Sequence, residues 1–213
     1  MYRSLRMLSV LCLVGLMTSS PAGAEDPKAS EREKLPASGK PFATGGDESQ
    51  EQVQSEIEHV LTTQELHLVS DRDGNRFAAC SHATGGWDLW SSPKEVKVIP
   101  VASQGVLTFE ISGGEIRELV AFSPVTGRWH RIALKKPTTS KCLPIVSQGI
   151  ACFHVDGNAY AFSPKTGKWD VTPAANPLTV AQRYVSFHDH DRFGLFSDES
   201  GRWDVISAGE FDH

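Results

Sequence analysis

From about residue 60 onward, apolar residues come in short runs rich in Val, Ile, Phe and Thr, broken by Gly, Pro, Asn, Asp and Ser. That is the pattern of short strands joined by tight turns. One turn recurs four times with constant internal spacing: Ser81-His82-Ala83-Thr84-Gly85-Gly86-Trp87, Ser123-Pro124-Val125-Thr126-Gly127-Arg128-Trp129, Ser163-Pro164-Lys165-Thr166-Gly167-Lys168-Trp169 and Ser197-Asp198-Glu199-Ser200-Gly201-Arg202-Trp203. Pro at the second position presets φ for a type I turn, and the Gly supplies a left-handed residue that lets the chain return through a small bulge. The Trp opens the returning strand, where a large aromatic suits a half-buried pleated face. A Trp repeated at fixed spacing is expected to pack between repeats; the competing reading is a stacking platform for sugars or bases.

Aligning the four turns exposes a longer unit. Gly149 to Phe162 is a strand, a turn at Asp156-Gly157-Asn158 and a second strand. Leu66 to Cys80 repeats it around Asp73-Gly74-Asn75, Gly105 to Phe122 around Ser112-Gly113-Gly114, and Arg183 to Phe196 around His188-Asp189-His190-Asp191. An upstream strand, Val98 to Gly105, parallels Leu143 to Gly149. Each unit is thus strand, strand, strand, signature turn, strand, with Trp-to-Trp intervals of 42, 40 and 34 residues. Four short antiparallel strands in about 40 residues predict an all-β chain of propeller-like repeats.

The second repeat, Gly113-Gly114 followed by Leu119-Val120-Ala121-Phe122 and then Thr126 and Trp129, resembles a Kelch blade. The third, Asp156 through Gly167, is similar to the blade repeat of quinoprotein-type propellers. The resemblance covers roughly residues 60–207 and implies a ring, which in those families commonly has six to eight blades. With four repeats, three closures are open: a small four-bladed ring, which is preferred, a homodimer completing an eight-bladed ring, or an open arc. An open arc leaves sheet edges and apolar faces exposed. A β-sandwich or barrel built from the same hairpins is the alternative.

Upstream of the repeats the character changes. Arg3 and Arg6, an apolar run from Met7 to Met17 and Ala22-Gly23-Ala24 make residues 1–24 a secretory signal peptide, so an exported, periplasmic or secreted protein is expected. Residues 25–52 carry almost no large apolar side chains and are expected to be a flexible linker. The repeat domain is placed at 53–213. Glu51 to Leu61 suits either a short helix or a strand leading into the repeats. No membrane span is expected once the signal is removed.

Charge and cysteines narrow the function. The chain has 213 residues and a formal charge of −5; losing residues 1–24 removes two basic residues and no acid, leaving 19 Lys+Arg against 26 Asp+Glu, or −7. An acidic balance argues against nucleic acid as partner. Cys80, Cys142 and Cys152 lie beyond the signal segment. Cys142 and Cys152 flank the turn Ser147-Gln148-Gly149 and are candidates for a disulfide across a hairpin, with buried free thiols as the other reading.

Candidate chemistry is sparse. His188, His190 and Asp191 are the candidate metal ligands, against the simpler reading of a solvated turn. Asp71-Arg72-Asp73-Gly74-Asn75 opens like a calcium loop but has His82 where that loop requires a bidentate Glu, so a hairpin turn is expected. Asp88, Asp170 and Asp204 each follow a signature Trp, as alternating residues or as carboxylates lining a channel. No Gly-x-Ser-x-Gly, phosphate-binding loop or His-Glu-x-x-His occurs. No catalytic residue and no cofactor are assigned. The expected function is a non-catalytic scaffold binding a protein or envelope component through its hairpin loops. The alternative is a small exported enzyme or carbohydrate-binding module with a glycan in a central pocket.

Overall fold

A computed structural model describes residues 57–211. They form four consecutive four-stranded antiparallel sheets, each a simple meander. The first holds β1 (Ile57–Thr62), β2 (Leu66–Asp71), β3 (Arg76–Ser81) and β4 (Trp87–Ser91). The second holds β5 (Lys97–Ala102), β6 (Leu107–Ser112), β7 (Ile116–Ser123) and β8 (Arg128–Thr138). The third holds β9 (Pro144–Val146), β10 (Ala151–Val155), β11 (Asn158–Ser163) and β12 (Lys168–Pro173). The fourth holds β13 (Thr179–Val180), β14 (Tyr184–Asp189), β15 (Arg192–Ser197) and β16 (Arg202–Ser207), followed by a 3₁₀ turn at Ala208–Phe211. These are blade repeats of the β-propeller type. The segment at 57–62, open between helix and strand in the sequence, is a strand paired with β2. The signal segment 1–24 and linker 25–52 lie outside the described residues.

Burial along the strands shows which sheets have neighbours on both faces. β7 and β11 are buried over nearly every residue from Leu119 to Ser123 and from Ala159 to Ser163. β3 and β15 instead alternate between buried and exposed or half-exposed positions. A strand covered on two sides reads as a continuous apolar run, and one covered on a single side alternates. The second and third sheets are therefore sandwiched, and the first and fourth are the ends of the series.

The signature turn has the left-handed glycine its sequence demands, with φ of 69°, 66°, 65° and 62° at Gly85, Gly127, Gly167 and Gly201. The ladder runs unbroken into it, Ser123 facing Arg128 and Phe122 facing Trp129, and the equivalent pairs recur in the third and fourth sheets. The connection is thus a four-residue loop, closed by the Gly127 N–H donating to Ser123 O at 2.8 Å, and not a bulge. The same bond closes the first and fourth copies.

The signature turns also join one sheet to the next. Ser81 Oγ donates to Pro124 O, Ser123 Oγ to Pro164 O and Ser163 Oγ to Asp198 O, each reaching the second position of the following turn. The same hydroxyls accept from their own loops, as Thr126 N does to Ser123 Oγ at 3.0 Å. In the reverse direction, Trp129 Nε1 donates to Asp88 O at 3.0 Å and Trp169 Nε1 to His130 O at 3.1 Å. Trp129 N and Trp203 N reach the carboxylates of Asp88 and Asp170, each at 2.8 Å. Every sheet thus has a trailing face, carrying the signature Ser, and a leading face, carrying the Trp. Alanines of one trailing face pack on phenylalanines of the next leading face, Ala121 with Phe162 and Ala161 with Phe196.

Two expectations are corrected. The preferred four-bladed ring is not closed: among the described residues no hydrogen bond joins the fourth sheet to the first. Trp87, with no sheet before it among the described residues, is 54 % exposed. The disulfide is also absent, because both thiols are free. Cys142 bridges Ile111 near the end of β6 in the second sheet, while Cys152 sits in β10 opposite Ile145 and Ala161. Burial pushes the Cys142 thiol up to about 11 and the Cys152 thiol up to about 12, so both stay protonated and inert at neutral pH.

The glycines separate backbone strain from close approach. A Cβ on Gly127 would overlap the Thr84 side chain and one on Gly201 that of Thr166, whereas one on Gly85 meets nothing within 4 Å. Gly85→Ala should cost about 1 kcal/mol from its positive φ alone, and Gly127→Ala and Gly201→Ala roughly twice that or more. Equal losses of denaturant midpoint in all three would refute the stacked-turn account. The tryptophans give a parallel contrast: Trp129→Ala and Trp169→Ala should each cost about 3–5 kcal/mol, and Trp87→Ala less than about 1 kcal/mol. Urea midpoints, taken where the chain is monomeric, measure the difference.

Candidate functional site

The two ends of each sheet differ in what they are free to do. The first hairpin and the signature turn lie at the same end, because the chain reverses there twice per unit. At that end turn stacks on turn: Ser147 Oγ donates to Gln182 O at 3.1 Å, and a Cβ on Gly149 would come within 3.2 Å of Asp198. The opposite end carries the middle hairpins, whose loops vary in length. Residues 72–75 and 113–115 form the first two, while only Asp156-Gly157 and His190-Asp191 form the others. Variation is tolerated where a turn does not have to fit its neighbour.

A cavity of about 500 Å³ opens at this variable end, where Trp90 and the link after β4 meet the second sheet. Its floor is apolar: Trp90, Val96, Val98, Ile111, Ile116 and Ala133. Trp90 is buried and held by rings on three sides, with centroids 5.7 Å from Phe77, 4.8 Å from Phe109 and 5.8 Å from Trp129. Its Nε1 is buried without a hydrogen-bond partner. The rim is charged, with Glu95, Glu115 and Glu118 against Arg117. Arg117 pairs with Glu115, and Arg131 lies 3.8 Å from Glu118, all at substantially exposed side chains. Such pairs hold little energy and exchange readily for an incoming cation. Trp90 stands outside the repeated signature, which is why alignment of the four turns passes over it; its only sequence mark is a second Trp within the same short strand.

The signature residues are structural in this arrangement. Ser81, Ser123 and Ser163 are fully buried, and Trp129, Trp169 and Trp203 are inserted between sheets, not offered as platforms. Asp88 and Asp170 do not line a channel; they accept from the next Trp backbone. Trp87, Ser197 and Asp204 are the members left at the ends of the series.

The candidate metal ligands fall into different roles. His188 lies in β14 opposite Phe193, while His190 and Asp191 form the two-residue loop, with His190 at φ 30°. Between them Asp189 is buried and accepts from Ala175 N and Asn176 N, each at 2.8 Å, and from Arg192. Burial works to raise its pKa, but those donors outweigh it and hold the carboxyl below its ordinary value. This is an anchor for the segment at 174–176, not a ligand set. No group of three or more His, Cys, Asp or Glu among the described residues is placed to hold a metal. Asp71 likewise caps its own hairpin: Arg76 N and Asn75 N donate to it, and the Arg76 bond does most to lower its pKa.

At the joint between the second and third sheets His130 takes the place of the aspartate. Its Nε2 lies 2.9 Å from Thr126 Oγ1, its ring 5.4 Å from that of Phe162, and a Cβ on Gly167 would come within 2.7 Å of it. Burial lowers its pKa below 6.5, against the pull of Asp88, with Arg128 adding to the lowering. A lowered folded pKa means that the unfolded chain binds the proton more tightly. The contribution of His130 is therefore complete above about pH 6.5 and is lost as pH falls through that value toward the folded pKa. His130→Asn should flatten the fall of the urea midpoint between pH 7 and 5; an unchanged slope would show that the imidazole is not desolvated.

No family model matches the sequence, and no curated protein matches it. Among solved structures, Hsv2 of Kluyveromyces marxianus is similar with a TM-score of 0.33 and 11 % identity, over 68 % of this chain and 48 % of that one. Hsv2 of Kluyveromyces lactis is similar with a TM-score of 0.30 and 12 % identity, over 71 % and 50 %. A chain of the mitotic checkpoint complex is similar with a TM-score of 0.30 and 7 % identity, over 85 % and 76 %. The chain spans about half the length of the two Hsv2 chains it matches.

Proposed function

We propose that the protein is a non-catalytic scaffold of propeller blades, exported by its N-terminal segment, that holds a protein partner at the variable end of its sheets. The resemblance of its second and third repeats to Kelch and quinoprotein-type blades supports this reading. The observation that carries this reading is the cavity between the first and second sheets. Its floor accepts an apolar side chain, and its rim of three carboxylates against one guanidinium favours a positively charged neighbour. The matching partner is an extended segment with one large apolar anchor flanked by Lys or Arg. The residues that recur with the repeats are occupied in joining sheets, which leaves the variable end to carry recognition.

A panel of synthetic peptides pairing a single Leu, Phe or Trp with flanking Lys or Arg tests the reading. Binding is expected to fall at least about tenfold in Ala133→Trp, which fills the cavity, and to weaken in Glu95→Lys with rising salt sensitivity lost. Peptides that bind both variants as well as the parent, or that prefer acidic flanks, would overturn it. Saturable glycan binding unaffected by Ala133→Trp would favour the carbohydrate-binding alternative.

A further inference from the structure

The two ends of the series are complementary to each other in detail. At each inner joint the residue two before the signature Ser is alanine, Ala79, Ala121 or Ala161, and it faces the following sheet. The residue one before the next Ser is phenylalanine, Phe122, Phe162 or Phe196, and it receives that alanine. At the ends the sizes are exchanged. Leu195 stands in the alanine's place on the trailing face of the fourth sheet, and Cys80 in the phenylalanine's place on the leading face of the first. A larger knob meets a smaller seat, so combined size is roughly kept across a joint that the structure leaves unmade.

The polar groups match in the same way. Ser197 donates to no carbonyl and the Asp204 carboxylate has no partner among the described residues, although their counterparts Ser163 and Asp170 are both engaged. On the first sheet, among the described residues, the Trp87 indole has no preceding carbonyl, and nothing lies within 4 Å of a Cβ placed on Gly85. The apolar surface is large for a face meant for water: Trp87 is 54 % and Leu89 75 % exposed on one end, Phe193 44 % and Leu195 38 % on the other.

We propose that the trailing face of the fourth sheet docks on the leading face of the first sheet of a second copy of this chain, and that two such joints close a ring of eight sheets. The contact is head to tail. Ser197 Oγ donates to His82 O of the second copy, the Trp87 indole and amide of that copy reach Asp204, and Leu195 seats over Cys80. Head-to-tail contacts form rings when the rotation closes and fibres when it does not; closure at two copies leaves no face of either kind open. This interface uses neither the cavity nor its rim, so it stands apart from the binding proposed above.

The test is sedimentation velocity on the chain from residue 25 to 213, with two substitutions that keep every surface uncharged. The parent is expected to be a dimer. Leu195→Ala removes the knob and should weaken the dimer at least about tenfold. Cys80→Phe fills the seat against Leu195 and should weaken it as much. The pair together reproduces the alanine-on-phenylalanine packing of the inner joints and should return the dissociation constant to within about threefold of the parent. A parent monomeric throughout, as when residues before 57 cover the first sheet, overturns the proposal. So do losses that merely add in the double variant, or species growing beyond the dimer. Far-ultraviolet circular dichroism of the three variants separates a lost interface from a lost fold.

Discussion

The structure depends on a single joint used three times. A signature hydroxyl is buried, donates forward to the carbonyl of the next turn and accepts from its own loop, while the next tryptophan bonds backward to the residue after its predecessor. Neither half would suffice alone. The hydrogen bonds fix register between sheets, and the Ala-on-Phe packing beneath them excludes water, so that each bond is made in an environment where losing it is costly. Everything else is arranged around keeping this joint dry. Glycine is required at the turn for its positive φ and, at Gly127 and Gly201, because a Thr of the preceding turn occupies the space a side chain would need. Pro124 and Pro164 lose nothing there by lacking an N–H, since their carbonyls are the acceptors.

A joint of this kind has a direction, and direction has consequences. A sheet that gives a hydroxyl on one face and a Trp on the other can only be continued by another sheet of the same hand. The series therefore ends in two faces that are not alike, one carrying, among the described residues, a signature hydroxyl without an acceptor and a carboxylate without a partner, and the other a Trp indole without an acceptor. Burial follows the same logic: β7 and β11 are covered on both faces, whereas β3 and β15 alternate. The cost of ending the series is exposed Trp87, Leu89, Phe193 and Leu195 on the two outer faces.

Much of this was legible in the sequence, because the constraint is local and repeated. Constant spacing from Ser to Trp marked the turn, and the short alternating runs marked four strands per unit. What escaped was anything settled by a neighbouring sheet. Asp88 and Asp170 looked like alternating outward residues; only the adjacent Trp backbone shows why a carboxylate belongs there. Asp189 sat inside a cluster of four polar residues and looked like a turn, yet it is buried and holds a loop 13 to 14 residues upstream. Cys142 and Cys152 flank a plausible turn, but the first is captured by Ile111 of a different sheet. Trp90 lies outside the repeat and gave no periodic signal. The exchange of Leu195 and Cys80 was present in the aligned repeats, but it acquires meaning only when both positions are known to face a joint.

The division of labour between the two ends of each sheet explains why chemistry is hard to find in the repeated residues. A residue that recurs in every unit does so because every joint needs it, and a residue held in a joint is not available to a ligand. The side chains left free by the joints are those where the repeats disagree. The middle hairpins differ in length, the link from the first sheet to the second is the one that carries Glu95 and Val96 into the cavity, and the second sheet alone extends its last strand to Thr138. A chain built from copies thus separates its constraints in space: identity is concentrated at the end where the signature turns stack, and difference at the end that carries the middle hairpins. The sheet end richest in departures from the repeat, between the first two units, is where selective contact with a partner costs the scaffold least.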